Sequence, residues 1–245
     1  MNGTPINSSK NSIFQLQQKV VNNKSARRKE KLIWLEGPRA VEQCPAKHIK
    51  ALFLGPNAPD KDNWPVSPYR LSSELSQKVF LTEAPQEVGC LLHWETKHFE
   101  DLNWNKGVII ADGLQDPGNA GSLLRTAAGL DYGGFILLSS VEAGNPKFLR
   151  SSAGCLLSIP VCETAERSTL QDFINKQGIS TYRADANGST ESISSPTGAY
   201  ALVVGSEAHG LGSGWQGEVW TLPLANNVES LNASVAAALL AYLLK

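Results

Sequence analysis

Residues 112–130, DGLQDPGNAGSLLRTAAGL, run from the end of an apolar stretch through a glycine-rich turn into a helix that carries one charged residue, Arg125. Such a turn can present free backbone N–H groups to an anion. Arginine stays charged at any accessible pH, and its planar fork matches a phosphate or stabilises an oxyanion forming beside it. Two readings are open on these residues alone. In one, Asn119 caps the helix and Arg125 is a solvated cation; in the other, both face a shared cleft. Gly113, Gly118 and Gly121 do not fit GxGxxG, so a dinucleotide fold is not supported.

Two further segments repeat the design of an apolar run feeding a polar loop. Residues 201–212, ALVVGSEAHGLG, form a buried strand that runs into Gly205 and a flexible loop holding Ser206 and Glu207. Glycine at a strand end lets a ligand approach the backbone closely, although Glu207 as a simple helix cap explains the same residues. Residues 222–244, LPLANNVESLNASVAAALLAYLL, place Asn226, Asn227, Glu229, Ser230 and Asn232 ahead of a helix of small and apolar residues. That helix is too apolar for an ordinary surface helix and far short of the ~20 residues of a membrane span. It must pack into a core or a subunit interface, and the polar loop before it reads as a binding loop.

These loops need elements to hold them. Apolar strands are expected at 108–111, 135–138 and 201–204, with a helix at 120–130 between the first two, an order that argues for a parallel sheet covered on both faces. Asn145-Pro146 supplies an N-cap with proline at the first helical position, opening a helix to about Gly154. A helix at 170–176, strands at 179–182 and 219–222, and the closing helix complete this half. Ahead of it, 31–35 reads as a strand or helix entry, with a turn at 36–39 into a helix around Ala40. A strand at 49–54, a proline-rich loop, a helix at 72–79 and a strand at 88–93 then make a small α/β unit. The expected division is a basic flexible tail at 1–24, the small unit at 25–96, a linker at 97–106 and a larger domain at 107–245.

The chain has 245 residues and a formal net charge of −1, enough for one large or two ordinary domains. Its charge is uneven: residues 1–29 hold Lys10, Lys19, Lys24, Arg27, Arg28 and Lys29 and no acid. Such an arm suits an anionic partner such as RNA, or is a solvated tail. Cys44, Cys90, Cys155 and Cys162 lack CxxC spacing and the histidines are scattered, so reduced thiols and no metal are expected. No apolar secretory signal opens the chain, which points to the cytoplasm; a basic, acid-free start also has some transit-peptide character.

Taken in order and at these separations, NAGSLLRTA, LVVGSEAHGLG and LPLANNVESLNASVAAAL resemble the three signature motifs of the SpoU-type RNA ribose 2′-O-methyltransferases of the SPOUT superfamily. NPKFLRSSAG resembles that family's intermediate helix. LIWLEGPRAVE and LTEAPQEVG resemble the small substrate-binding domain that many members carry, so the resemblance covers the chain from about Arg28 onward. It implies an α/β fold: a parallel-sheet SPOUT domain with a C-terminal trefoil knot formed by roughly 201–244, preceded by a small α/β RNA-binding domain. It also implies S-adenosylmethionine as cofactor, an RNA substrate, a homodimer with the site near the subunit interface, no membrane and no metal.

Carried over position by position, the resemblance assigns the catalytic set to Asn119, Arg125, Glu207, Ser230 and Asn232. Backbone contacts to the cofactor fall to Gly205, Leu222, Leu224 and Leu231. Asn226 stands where glycine is usual, and Ala208 and Ala233 where glycine and valine are common; asparagine tolerates φ > 0 better than most residues. The expected reaction is methyl transfer to a ribose 2′-oxygen, with ribosomal RNA favoured over tRNA because the N-terminal domain resembles that of rRNA-modifying members. The reading from another class is an inactive RNA-binding protein of the same fold.

Overall fold

The computed structural model describes every residue except 1–2, 60, 81, 83, 190–195, 207–209 and 226–229, and the side chains of 186, 187 and 189. Two compact units emerge: Met1–Glu95 with Gly144–Arg150, and Thr96–Ala143 with Ser151–Lys245.

In the first unit, β1 (Thr4–Ile6), α1 (Ser12–Asn22), α2 (Lys24–Glu30), β2 (Leu32–Glu36), α3 (Pro38–Glu42), β3 (Ile49–Leu54), β4 (Tyr69–Leu71), α4 (Ser73–Val79) and β5 (Val88–His93) follow in order. The strands form a mixed sheet in the order β1-β4-β3-β5-β2. β1 and β4, like β3 and β4, run parallel, whereas β5 is antiparallel to both β2 and β3. The basic flexible tail expected over 1–24 is not what the structure shows. β1 pairs with β4 through Thr4–Tyr69 and Ile6–Leu71, and Ile6, Phe14 and Val20 are buried in one cluster with Trp34, Phe53 and Leu91. Two asparagines of this stretch are helix caps. Asn11 Oδ1 accepts from the Ile13 and Phe14 N–H groups at 3.0 and 3.3 Å, and Asn23 Oδ1 from Ala26 N–H at 3.1 Å. One of the basic residues is structural too: Arg27 is buried and donates to the Val20 and Val21 carbonyls at 2.8 and 3.0 Å, satisfying the last turn of α1.

The chain continues through β6 (Val108–Asp112), α5 (Pro117–Gly129), β7 (Gly134–Leu138), α6 (Pro146–Ser151), β8 (Val161–Thr164), α7 (Arg167–Gln177), β9 (Ser180–Ser189), β10 (Tyr200–Gly205), β11 (Glu218–Trp220) and α8 (Ala233–Leu243). The second unit's six strands are all parallel, in the order β11-β9-β10-β6-β7-β8. β6, β7 and β10 are buried almost end to end, as strands covered on both faces must be. Side chains alternate between the faces: Val108, Ile110, Ile136, Leu138, Ala201 and Val203 point toward Leu170 and Ile174 of α7. α5 and α8 pack on each other and on the strands, burying Leu123, Leu124 and Ala127 of α5 and Ala237, Leu240 and Ala241 of α8.

Three local expectations change. The stretch 97–106, expected as a linker, forms two short 3-10 turns, Phe99–Asp101 and Trp104–Lys106. Phe99, Leu102 and Trp104 lie in the core of the second unit, and the Trp104 indole donates to the Phe99 carbonyl at 2.9 Å. Aromatics spaced among polar residues hid a packed segment. α6 begins at the Asn145 cap as expected but stops at Ser151, because Ala153 and Gly154 adopt left-handed backbone at φ 51° and 84°. β8, Val161–Thr164, follows without having been anticipated, since its run is too short and too polar to signal a strand.

The C-terminus is fastened at its far end. The buried Tyr132 hydroxyl donates to the Ala241 carbonyl at 2.9 Å, and burial pushes its pKa far up, so it stays a donor throughout the working pH range. Lys245 donates to the Lys106 and Asp131 carbonyls at 2.9 and 3.1 Å and sits 4.5 Å over the Tyr132 ring.

Candidate functional site

The strand order of the second unit reverses between β6 and β10. From β6 the chain steps outward through β7 to the edge at β8, then returns to the other side of the sheet for β9, β10 and β11. Ligands of open parallel sheets lie outside the carboxyl ends of the strands near such a reversal, where the loops diverge. A cavity of about 530 Å³ lies at the carboxyl ends of β9, β10 and β11. That volume falls within the roughly 300–1,000 Å³ of small-molecule sites. Asp185, Gly205 and Trp220 line it from the strands, residues 221–224 from the segment after β11, and Ser230, Leu231, Ala233, Ala236 and Leu240 from the start and inner face of α8.

Gly205 is glycine for a steric reason. A Cβ there would lie 2.3 Å from the backbone carbon and oxygen of Gly210, which sits directly against the strand end. Ser206 and Gly210 exchange both backbone hydrogen bonds, Ser206 N–H to Gly210 O at 3.1 Å and Gly210 N–H to Ser206 O at 2.8 Å. Gly210 itself has φ 61°, the left-handed conformation that glycine adopts without strain. Gly205→Ala is therefore expected to displace the cavity wall while leaving the sheet intact. Calorimetric titration of the cavity's ligand would show a loss of affinity of about tenfold or more, with an unchanged far-ultraviolet circular dichroism spectrum.

Asn232 joins the two motif-bearing helices. Its Oδ1 caps α8, accepting from Ser234 N–H at 3.0 Å, Ser234 Oγ–H at 2.7 Å and Val235 N–H at 3.3 Å. Its Nδ2 donates to Asn119 Oδ1 at 3.0 Å, across 113 residues of sequence. Asn119 is held in the first turn of α5 by its own N–H, which donates to the Asp116 cap at 2.8 Å. Of the two roles first open to it, capping belongs to Asp116, and Asn119 is turned to the other helix. Arg125 is exposed, six residues or about 9 Å of helix further along α5, and no described residue holds its guanidinium.

A model of the SpoU rRNA methylase family matches residues 106–242, a span that takes in most of the second unit. The chain belongs to this family. The 23S rRNA (guanosine(2553)-2′-O)-methyltransferase RlmP of Bacillus subtilis is 31% identical over 239 residues, spanning 93% of this chain and 94% of that protein. The fold matches that of the SpoU methyltransferase AviRb from Streptomyces viridochromogenes in complex with AdoMet, with a TM-score of 0.79 at 21% identity over 96% and 97% of the two chains. It also matches the AdoMet-bound rRNA methyltransferase from Sinorhizobium meliloti, with a TM-score of 0.81 at 20% identity over 98% and 97%. The protein is thus an RNA methyltransferase by descent, and S-adenosylmethionine is the methyl donor of its family.

Among the residues carried over from the SpoU motifs, the structure gathers Gly205, Leu222, Leu224, Ser230 and Leu231 around one cavity and bonds Asn119 to Asn232 beside it. Arg125 does not line that cavity, and Glu207 lies outside the described residues. The cavity suits the donor. Its walls are leucine and alanine side chains and strand-end backbone, which accept a flat base, and Asp185 offers a carboxylate to hydroxyl or ammonium groups. The sequence does not single out Asp185 and Trp220, because nothing in a strand-end Asp or Trp separates a lining residue from a packing one. Among the described residues, no three His, Cys, Asp or Glu side chains converge as a cation site, and no helix is long and apolar enough to cross a membrane.

Proposed function

We propose that this SpoU-family protein transfers a methyl group from S-adenosylmethionine to a ribose 2′-hydroxyl of ribosomal RNA. The observation that carries the choice of RNA is the end-to-end similarity to the Bacillus subtilis enzyme, which extends over both units rather than over the methylase unit alone.

When bound in the cavity, S-adenosylmethionine supplies a methyl group on a positively charged sulfur, a leaving group that already carries its activation. No metal is assigned for that reason. Ser230 and Asn232, with Asn119 behind them, hold the polar loop and the incoming ribose in register, and Gly205, Leu222, Leu224 and Leu231 offer backbone and a smooth wall to the donor. Glu207 organises the glycine loop. A ribose hydroxyl is a weak nucleophile at neutral pH, so charge developing on its oxygen needs a fixed cation. Arg125 is that cation in our reading. A guanidinium is too hard to deprotonate to act as the base, and the proton passes to RNA phosphate or solvent.

The accessory elements follow the same reading. Lys19, Lys24, Arg28 and Lys29 are exposed on α1 and α2, a cationic surface for the phosphate backbone of RNA. The closing elements at 201–244 make the trefoil knot typical of this fold, supported by the matches to SpoU structures. The exposed face of α8 is the homodimer contact, and the cytoplasm is the compartment in which the protein meets its RNA. The deciding experiment incubates the protein and labelled S-adenosylmethionine with unmodified ribosomal and transfer RNA pools and maps the product. Label on ribose 2′-oxygens of ribosomal RNA is expected. Label on tRNA would move the substrate, label on bases alone would overturn the ribose reading, and no binding of the donor at millimolar concentration would leave an RNA-binding protein without the activity.

A further inference from the structure

β6 ends on a carboxylate with no place in the reaction just described, yet it is among the most heavily coordinated side chains of the second unit. Asp112 is 2% exposed and faces Gly205 across the β6–β10 ladder, at the reversal of strand order. Its two carboxylate oxygens take both terminal nitrogens of Arg167, at the start of α7, in a bidentate pair. The same Oδ2 also accepts from the Gly212 N–H at 3.0 Å and from the Trp215 indole N–H at 2.8 Å. Neither Asp112 nor any of these donors lines the cavity, although Asp112 is ladder partner to Gly205, which does.

Two of them, however, belong to the single connection that runs from Gly205 to β11. Gly205, Ser206 and Gly210 at its start and Trp220 at its end line the cavity. Gly212 is packed so closely under Arg167 that a Cβ there would lie 2.3 Å from the guanidinium. Arg183 on β9 grips the connection further on, donating to the Trp215 carbonyl and the Gly217 carbonyl at 3.0 Å each. The part of the chain that forms one wall of the cavity is therefore tied down on its outer side, by a buried charge, at residues that never meet the ligand.

We infer that Asp112, through Arg167, Gly212 and Trp215, is a positioning residue that holds the β10–β11 connection in the conformation competent to bind the methyl donor. The inference rests on the cavity being the donor site. A ligand's apparent affinity falls in proportion to the fraction of protein whose site is already formed. Loosening the outer tether lowers that fraction, whereas a donor that has bound has already selected the formed loop, so transfer from the saturated enzyme proceeds at its normal rate. Asp112 thus governs how tightly the donor is held and not how fast it reacts.

Three substitutions in the full-length protein grade the tether. Trp215→Phe removes one hydrogen bond and keeps an aromatic ring in the core. Arg167→Lys keeps the charge and loses the fork. Asp112→Asn puts an amide N–H group among donors. Titration calorimetry with S-adenosylmethionine and with S-adenosylhomocysteine is expected to show Kd rising by a few-fold, then by about tenfold, then by more than that, in this order. KM for the donor should rise in parallel, while kcat at saturating donor stays within about two-fold of the parent. If Asp112→Asn fails to fold, Trp215→Phe and Arg167→Lys carry the comparison. Folded variants that bind as the parent does, or that lose kcat at unchanged Kd, would overturn the inference. An unmutated protein that binds neither ligand would instead remove the donor site itself, and this inference with it.

Discussion

Replacing Arg125 with alanine is expected to lower kcat by about 10²–10³-fold, the cost typical of deleting one preorganised group that stabilises a developing oxyanion. Donor affinity should remain within a few-fold of the parent, since Arg125 does not line the cavity. Stability should also hold to within about 0.5 kcal/mol, because the side chain is exposed and makes no contact that the fold depends on. Arg125→Lys separates charge from geometry: a point charge without the planar fork recovers part of the rate and not all of it. Single-turnover transfer to RNA, with donor binding measured separately, gives both quantities. Turnover of Arg125→Ala within a few-fold of the parent would remove this residue from the chemistry and return it to the solvated cation that the sequence also allows.

Leu239→Glu is expected to convert the proposed homodimer into a monomer. Val235, Leu239, Tyr242 and Leu243 recur at helical spacing on one face of α8 and are between 46% and 69% exposed in the single chain, while Ala237, Leu240 and Ala241 on the opposite face are buried. A stripe of four large apolar side chains left in water is the mark of a surface that another molecule covers. In a two-fold arrangement each copy contributes the same patch, so one substitution introduces two carboxylates. An unpaired buried charge costs several kcal/mol, and each 1.4 kcal/mol is a factor of ten, so the dimer should weaken by about a thousandfold or more. Sedimentation of the parent and the variant across a concentration series would show it. A monomeric parent would exclude this face as a self-contact, and an undisturbed dimer in the variant would place the contact elsewhere. Because the same helix carries the Asn232 cap and part of the cavity wall, the monomeric variant is also expected to lose activity.

These two predictions fall on residues that the sequence presented openly. Arg125 is the one charged residue in a small apolar helix, and the α8 stripe lies in a stretch whose lack of a polar face was evident. The strands β6, β7 and β10 were similarly plain, because continuous apolar runs of that length between glycine turns have few alternatives in a soluble fold. The first unit's start is hidden in the sequence for the converse reason. Ile6, Phe14 and Val20 are sparse among Asn, Ser and Lys, and only the sheet edge at β4 and the cluster around Trp34 give them something to be buried against. The 3-10 turns holding Phe99, Leu102 and Trp104 are masked in the same way, by polar neighbours.

What the sequence determined by itself was the chemistry on offer: a glycine turn delivering Asn119 and Arg125, a glycine-ended strand at Gly205, and a polar loop with Ser230 and Asn232 feeding an apolar helix. Side-chain type and local spacing are enough for that, because helix caps, strand ends and apolar periods depend on neighbours a few residues away. Only the tertiary structure decided which of these groups meet. The Asn119–Asn232 bond spans 113 residues, and the donors to Asp112 lie 55, 100 and 103 residues along the chain. No local pattern encodes such pairings. They arise because a parallel sheet whose strand order reverses brings the carboxyl ends of β6 and β10 side by side, so that a cavity wall and the charge that tethers it come from segments far apart in sequence.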